Sequence, residues 1–157
     1  MKPLQSSCLC QKVKFEFQPL PNLMGHCHCR ECRKSAGSAF VTSIYIQPDS
    51  LKILQGENHI QEYNHTPTLG RIFCGNCGSR LWNYGKEAES NLPLMQGMKA
   101  AHFANVTAAS IESPHNYLPQ THVNINGKAS WYEINDDLDR FEEFPPLEYF
   151  AAKMNEE

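Results

Sequence analysis

The chain has 157 residues, of which 41% are hydrophobic and 20% charged, enough apolar surface for one core but not for two independent ones. A net charge of −3 and a pI near 6.2 offer no basic field to duplex DNA or to an anionic membrane, which argues against nucleic acid as a partner. Residues 1–7 lack the apolar run of a signal peptide and no stretch approaches the roughly 18 apolar residues of a membrane span, so a soluble, cytoplasmic protein is expected.

In chain order, Val13, Phe15 and Phe17 alternate with Lys14 and Glu16, the period-two pattern of a half-buried strand, and Pro19 and Pro21 end it. Residues 40–46, rich in aromatic and β-branched side chains, predict a second strand closed by Pro48-Asp49. Shorter strands are predicted over 51–54, 60–63, 71–74, 81–84, 103–111 and 122–125, with a loop over 87–101. Helix is expected in two places, 30–35 just after a cysteine cluster and 147–154, where Pro145 and Pro146 stand at the start. Short strands between glycine and proline punctuation predict a mainly β domain, with residues 155–157 as its frayed end.

Seven cysteines is an odd number, and in a reducing compartment thiols persist unless they hold metal or do redox chemistry. They fall into three groups: Cys8-Leu9-Cys10, Cys27-His28-Cys29-Arg30-Glu31-Cys32, and Cys74-Gly75-Asn76-Cys77. Cys74 and Cys77 have the two-residue gap of a zinc knuckle, with Gly75 and Gly78 easing the turn. Cys8 and Cys10 can complete a closed, tetrahedral, structural site with them. The rival reading of that pair, a redox disulfide, belongs to a βαβ context absent here. The middle cluster presents three thiolates to one ion and leaves a fourth direction open. Its rivals are a site completed by histidine, an iron–sulfur ligand set and plain buried thiols. His28, between Cys27 and Cys29, is expected to turn its ring away from an ion that they share, while His26, His102 and His122 have no assigned place.

These segments resemble the glutathione-dependent formaldehyde-activating enzyme family, which includes centromere protein V. The matching residues are Ser7-Cys8-Leu9-Cys10 with Lys12-Val13-Lys14-Phe15, the block His26-Cys27-His28-Cys29-Arg30-Glu31-Cys32 running on to Phe40, and Phe73-Cys74-Gly75-Asn76-Cys77-Gly78-Ser79. A weaker echo runs through His122-Val123-Asn124, Ala129-Ser130-Trp131-Tyr132 and Leu138-Asp139-Arg140-Phe141. The likeness covers about residues 5–145 of a single domain over 1–157, with 146–157 as a short tail. It implies packed antiparallel sheets and two Zn2+ per chain. The structural zinc would be held by Cys8, Cys10, Cys74 and Cys77, and the catalytic one by Cys27, Cys29 and Cys32. It also implies a carbon–sulfur lyase acting on thiol–aldehyde adducts such as S-hydroxymethylglutathione, with glutathione and formaldehyde as the thiol and aldehyde. Gln11 stands where the family usually has glycine, and the stretch 92–111 matches poorly, with Glu112 near a usual aspartate.

In such an enzyme, coordination deprotonates the substrate thiol, which then attacks the aldehyde carbon. Arg30, Arg33 and Lys34 offer charge for the carboxylates of a glutathione-like substrate, against a reading of them as a solvated helix face. Phe40, Trp131 and Tyr132 are expected in the core, and Ser35, Gly37 and Ser38 in a turn. The alternative function is a zinc-stabilised thiol- or protein-binding module without turnover. An open second site favours the enzyme and a closed one the module.

Overall fold

The computed structural model describes residues 2–86 and 103–156, so the loop expected over 87–101 and the side chain of His102 lie outside the described residues. The elements are β1 (Leu4–Ser7), β2 (Lys14–Phe17), β3 (Pro19–Cys27), α1 (Arg30–Ala36), β4 (Val41–Ile46), β5 (Lys52–Gln55), β6 (Ile60–Thr66), β7 (Leu69–Cys74), β8 (Arg80–Gly85), β9 (Ala104–Thr107), β10 (Thr121–Val123), β11 (Asp139–Arg140) and α2 (Leu147–Met154). This is the mainly β architecture expected. Backbone proximity divides it into two units, Met1–Leu20 with Ile44–Asn116 and Pro21–Ser43 with Tyr117–Glu157.

In the first unit, β1, β2 and β5 form an antiparallel sheet with β2 in the middle. The alternation read from sequence is what a sheet with one buried face requires: Val13, Phe15 and Phe17 are fully buried and Lys14 is exposed. Strands β6, β7, β8 and β9 follow one another in an antiparallel ladder. Ile72, Trp82 and Val106 are register partners across it and are all buried. This row meets the first sheet where Phe15 and Trp82 have ring centroids 4.9 Å apart, so the core of the unit is two sheet faces pressed together.

In the second unit, β10 runs parallel to β3 on one side and to β11 on the other. Helix α1 follows Cys29 and is closed by Gly37 in the left-handed conformation. Helix α2 starts after Pro146 and buries Phe150, which packs on Phe144 at 5.3 Å between centroids. No helix among the described residues is long and apolar enough to cross a membrane.

The structure departs from the sequence-based elements in places with a clear physical cause. Pro19 and Pro21 do stop β2, but β3 begins at Pro19, since proline is tolerated at the start of a strand. Asn22 bends that strand at φ 52, and its side chain donates to the carbonyls of Lys153 (3.2 Å) and Glu156 (2.8 Å). The strand expected over 103–111 stops at Thr107, where Ala108–Ser110 tighten into a 3-10 turn. That expected over 122–125 ends at Val123, because Asn124 is left-handed at φ 57.

Truncating Phe15 removes the ring that joins the two sheet faces. Phe15→Ala is expected to lower stability in a denaturant titration by about 3–5 kcal/mol, whereas Leu54→Ala, at a side chain 50% exposed, should change it little.

Two candidate metal centres

The first group is assembled by two turns of the first unit. Cys8 and Cys10 sit in the turn from β1 to β2, closed by Gln11 N–H to Cys8 O (2.9 Å) and Cys8 N–H to Val13 O (3.1 Å). Cys74 ends β7, and Gly78 N–H donates back to its carbonyl (2.8 Å), so Cys77 returns to the same side. Gly78 has φ 76, a left-handed conformation natural to glycine. Gln11 adopts the same region at φ 61, which costs a side-chain-bearing residue about 1–2 kcal/mol. Its amide offsets this by donating to Ser7 Oγ (2.9 Å) and Glu112 Oε1 (3.3 Å). The turn thus keeps a glycine-like backbone without glycine.

The sulfur atoms of Cys8 and Cys10 are 3.5 Å apart and those of Cys10 and Cys74 3.8 Å apart, and all four lie within 4.8 Å of one another. A tetrahedron of sulfurs bonded to zinc at about 2.3 Å has edges of about 3.8 Å, so the spacing suits such an ion. Donors converge on the sulfurs: Val13 N–H on Cys8 (3.3 Å), Asn76 Nδ2 on Cys10 (3.3 Å) and the Ser79 hydroxyl on Cys77 (3.2 Å). The Ser79 hydroxyl and backbone amide bring the Cys77 thiol down to about 5. Burial pushes Cys74 up to about 11. Ser79 Oγ also accepts from Leu9 N–H (3.0 Å), tying the two turns together.

The second group is local. Cys27 ends β3, Cys29 caps α1 with its sulfur accepting from Cys32 N–H (3.3 Å), and Cys32 lies in the first turn. Their sulfurs lie within 4.8 Å of one another, and among the described residues no histidine or carboxylate joins either group. Asn124 Nδ2 reaches Cys27 Sγ at 3.5 Å. Hydrogen bonds with Cys29 and Cys32, together with burial, push the Cys27 thiol far up. Its bond to Cys27 favours a Cys29 thiolate, but Cys32 and burial outweigh this and leave Cys29 at about 11. Thiols this close ionise together only around a cation. Both donor sets therefore fit a metal ion, and all seven cysteines stand as thiols rather than disulfides.

His28 turns its ring away from the thiols, as its position suggests. Its Nε2 is 2.8 Å from His122 Nδ1, and His122 Nε2 is 3.0 Å from both carboxylate oxygens of Asp136. His26 Nδ1 is 2.8 Å from Thr42 Oγ1. Burial and the neighbouring His122 lower both His26 and His28 to about 4, so both are neutral near pH 7.

Of the basic trio, Arg33 is a strut: its Nε donates to the carbonyls of His28 (3.3 Å) and Gly127 (3.0 Å). Arg30 and Lys34 are exposed. Phe40 and Tyr132 pack together at 5.2 Å and flank His28. Trp131 does not belong to the core, being 72% exposed. The turn closed by Tyr132 N–H to Ala129 O (3.1 Å) brings Tyr132 inward and leaves Trp131 out. Sequence reasoning assigned no role to Asn76, Ser79, Asn124 or Asp136. The first three lie inside motif segments and offered a signal, whereas nothing local distinguishes Asp136 from Asp137.

A family model described as glutathione-dependent formaldehyde-activating enzyme matches residues 3–127, a stretch that contains all seven cysteines. A Schizosaccharomyces pombe protein named as an uncharacterized lyase is 29% identical over 82 residues, covering 52% of this chain and 58% of that protein. The match therefore spans little more than half the length of that relative. The crystal structure of a Rhodobacter sphaeroides protein shares the fold with a TM-score of 0.54 at 19% identity, covering 71% of this chain and 91% of that one.

The first group joins sulfurs 64 residues apart in the chain, and the second ties a local turn. Cys77→Ser is therefore expected to lower the denaturation midpoint of the metal-loaded protein much more than Cys29→Ser. Equal losses would mean that both groups staple the fold.

Proposed function

The chain belongs to the glutathione-dependent formaldehyde-activating enzyme family, and from that premise we propose that it is a cytoplasmic, zinc-dependent carbon–sulfur lyase or synthase. Its substrates in this reading are thiol–aldehyde adducts such as S-hydroxymethylglutathione. Cys8, Cys10, Cys74 and Cys77 hold a structural zinc, and Cys27, Cys29 and Cys32 hold a catalytic one. The observation that carries the reading is the asymmetry of the two groups, four sulfurs in one and three in the other with no further ligand among the described residues. Four sulfurs complete a tetrahedron, whereas three leave one position for an outside ligand. Similarity to a protein named as a lyase supports the same reaction class.

Zinc at the three-cysteine group supplies the acidity that makes a substrate thiol a thiolate at neutral pH. The chain supplies position and charge. The capping contact from Cys32 N–H to Cys29 Sγ holds the cluster against α1. Arg30 and Lys34, exposed on that helix, attract the carboxylates of a glutathione-like thiol, while Arg33 is committed to backbone carbonyls. In the synthetic direction a carbon–sulfur bond forms between thiol and aldehyde carbon, the C=O π bond opens, and the thiol proton ends on the oxygen. The reverse direction breaks the same bond and returns thiol and aldehyde, with no oxidant or reductant.

Metal analysis is expected to give two zinc ions per chain, of which a mild chelator removes one without unfolding. Iron, or a single zinc lost together with the fold, contradicts this. Exchange NMR of glutathione with formaldehyde should show faster interconversion in the presence of the protein and background rates with Cys29→Ser. A wild-type rate equal to that of the protein-free mixture leaves a thiol-binding module without turnover.

A further inference from the structure

We infer that Asp136, His122 and His28 form a positioning chain that decides which side chains of the segment 26–29 face the metal, and so sets the metal affinity of the three-cysteine site. The inference rests on reading Cys27, Cys29 and Cys32 as a metal site. The segment His26-Cys27-His28-Cys29 alternates two kinds of metal ligand. Along an extended backbone, alternate side chains take opposite faces, and a slip of one residue exchanges the faces. Imidazole and thiolate both bind zinc, so a metal ion by itself discriminates poorly between a pair of cysteines and a pair of histidines presented beside Cys32. The choice has to come from the other face.

On that face the structure holds the histidines firmly. His26 pairs with His122 and Cys27 with Val123 across the parallel β3–β10 ladder, and His28 N–H extends it to Val123 O at 3.0 Å. The rings of His26 and His28 both lie against His122, at 4.8 and 5.0 Å, and against Phe40, at 4.7 and 5.3 Å. Cys27 meets a different neighbour, Asn124. With both imidazoles neutral, the hydrogen bonds have one consistent direction. The carboxylate of Asp136 only accepts, so His122 Nε2 carries the proton and its Nδ1 is an acceptor. That acceptor takes the proton of His28 Nε2. His28 Nδ1 is then a buried lone pair without a partner, so the bond to His122 is the one that holds the ring. His28 and His122 are 0% and 1% exposed, and breaking a bond between such groups leaves polar atoms stranded away from water.

Asp136 is the accessible end of the chain. Its side chain is 45% exposed and its Oδ1 is fixed by Leu138 N–H at 3.1 Å, so it can be changed without opening the core. It touches none of the three thiols and acts through His122 and His28, as outer-shell partners of metal ligands do.

The test is a competitive chelator titration of the full-length zinc-loaded protein, with Co2+ replacement to distinguish the two sites by their absorption. Asp136→Ala is expected to weaken the three-cysteine site by about 10–100-fold and to leave the affinity of the four-cysteine site unchanged. Asp136→Asn, whose side-chain oxygen still accepts from His122 Nε2, should recover most of the affinity. Histidine 15N NMR of the wild-type protein should show His28 and His122 both protonated on Nε2, a readout that needs no variant to fold. An unchanged three-cysteine affinity in Asp136→Ala, parallel weakening of both sites, or the opposite tautomers each overturns the chain. If the wild type takes up one ion only, the metal-site reading fails with it. If it takes up two and Asp136→Ala behaves as wild type, this inference alone fails.

Discussion

Thiols whose sulfur atoms lie within 4.8 Å of one another repel as they ionise, and inside a fold they do not all ionise together unless a cation sits among them. The high positions of Cys27 and Cys29 express that constraint, while Cys74 is raised first by burial. The structure answers it with donors around the four-sulfur group: Asn76, Ser79 and the amide of Val13 each address a sulfur. Those donors arrive only when the turns of β1–β2 and β7–β8 are both in place. The cluster and the Phe15–Trp82 sheet contact therefore depend on the same strand registers. Any cation bound there contributes its binding free energy to folding.

The three-sulfur group answers to a different economy of contacts. Its ligands lie within one strand end and one helical turn, so closing the loop costs little entropy and the fold gains little from a clamp there. Its geometry has to be imposed from outside, by Arg33 bracing the carbonyls of His28 and Gly127. A Cβ on Gly127 would lie 3.3 Å from both Cys29 Cα and the His28 carbonyl oxygen. A site framed by neighbours rather than by its own ligands can leave a coordination position open, the property a reactive centre needs and a structural one avoids.

Local chemistry is what the amino-acid sequence by itself determined. The spacings of the cysteine groups, the alternation of Val13, Phe15 and Phe17, the proline stop after β2 and the short helix behind Cys29 all depend on residues a few positions apart, and all are legible without coordinates. The pairing of Cys8 and Cys10 with Cys74 and Cys77 was legible too, because two short-range pairs each lacked half a tetrahedron. Tertiary structure decided what depends on distant partners. Nothing local announces that β3 continues through Pro19 and Pro21, since Pro21 sits beside Asn22, whose bend is held by the C-terminal residues 131 and 134 positions away. Arg33 turning inward and Trp131 outward likewise follow from backbone carbonyls and turns that no periodicity encodes. His28 meets its partner 94 residues on and Cys27 its amide donor 97 residues on. A histidine between two cysteines reads the same in sequence whether or not a distant imidazole and carboxylate hold it, and only the folded chain brings those groups within hydrogen-bonding reach.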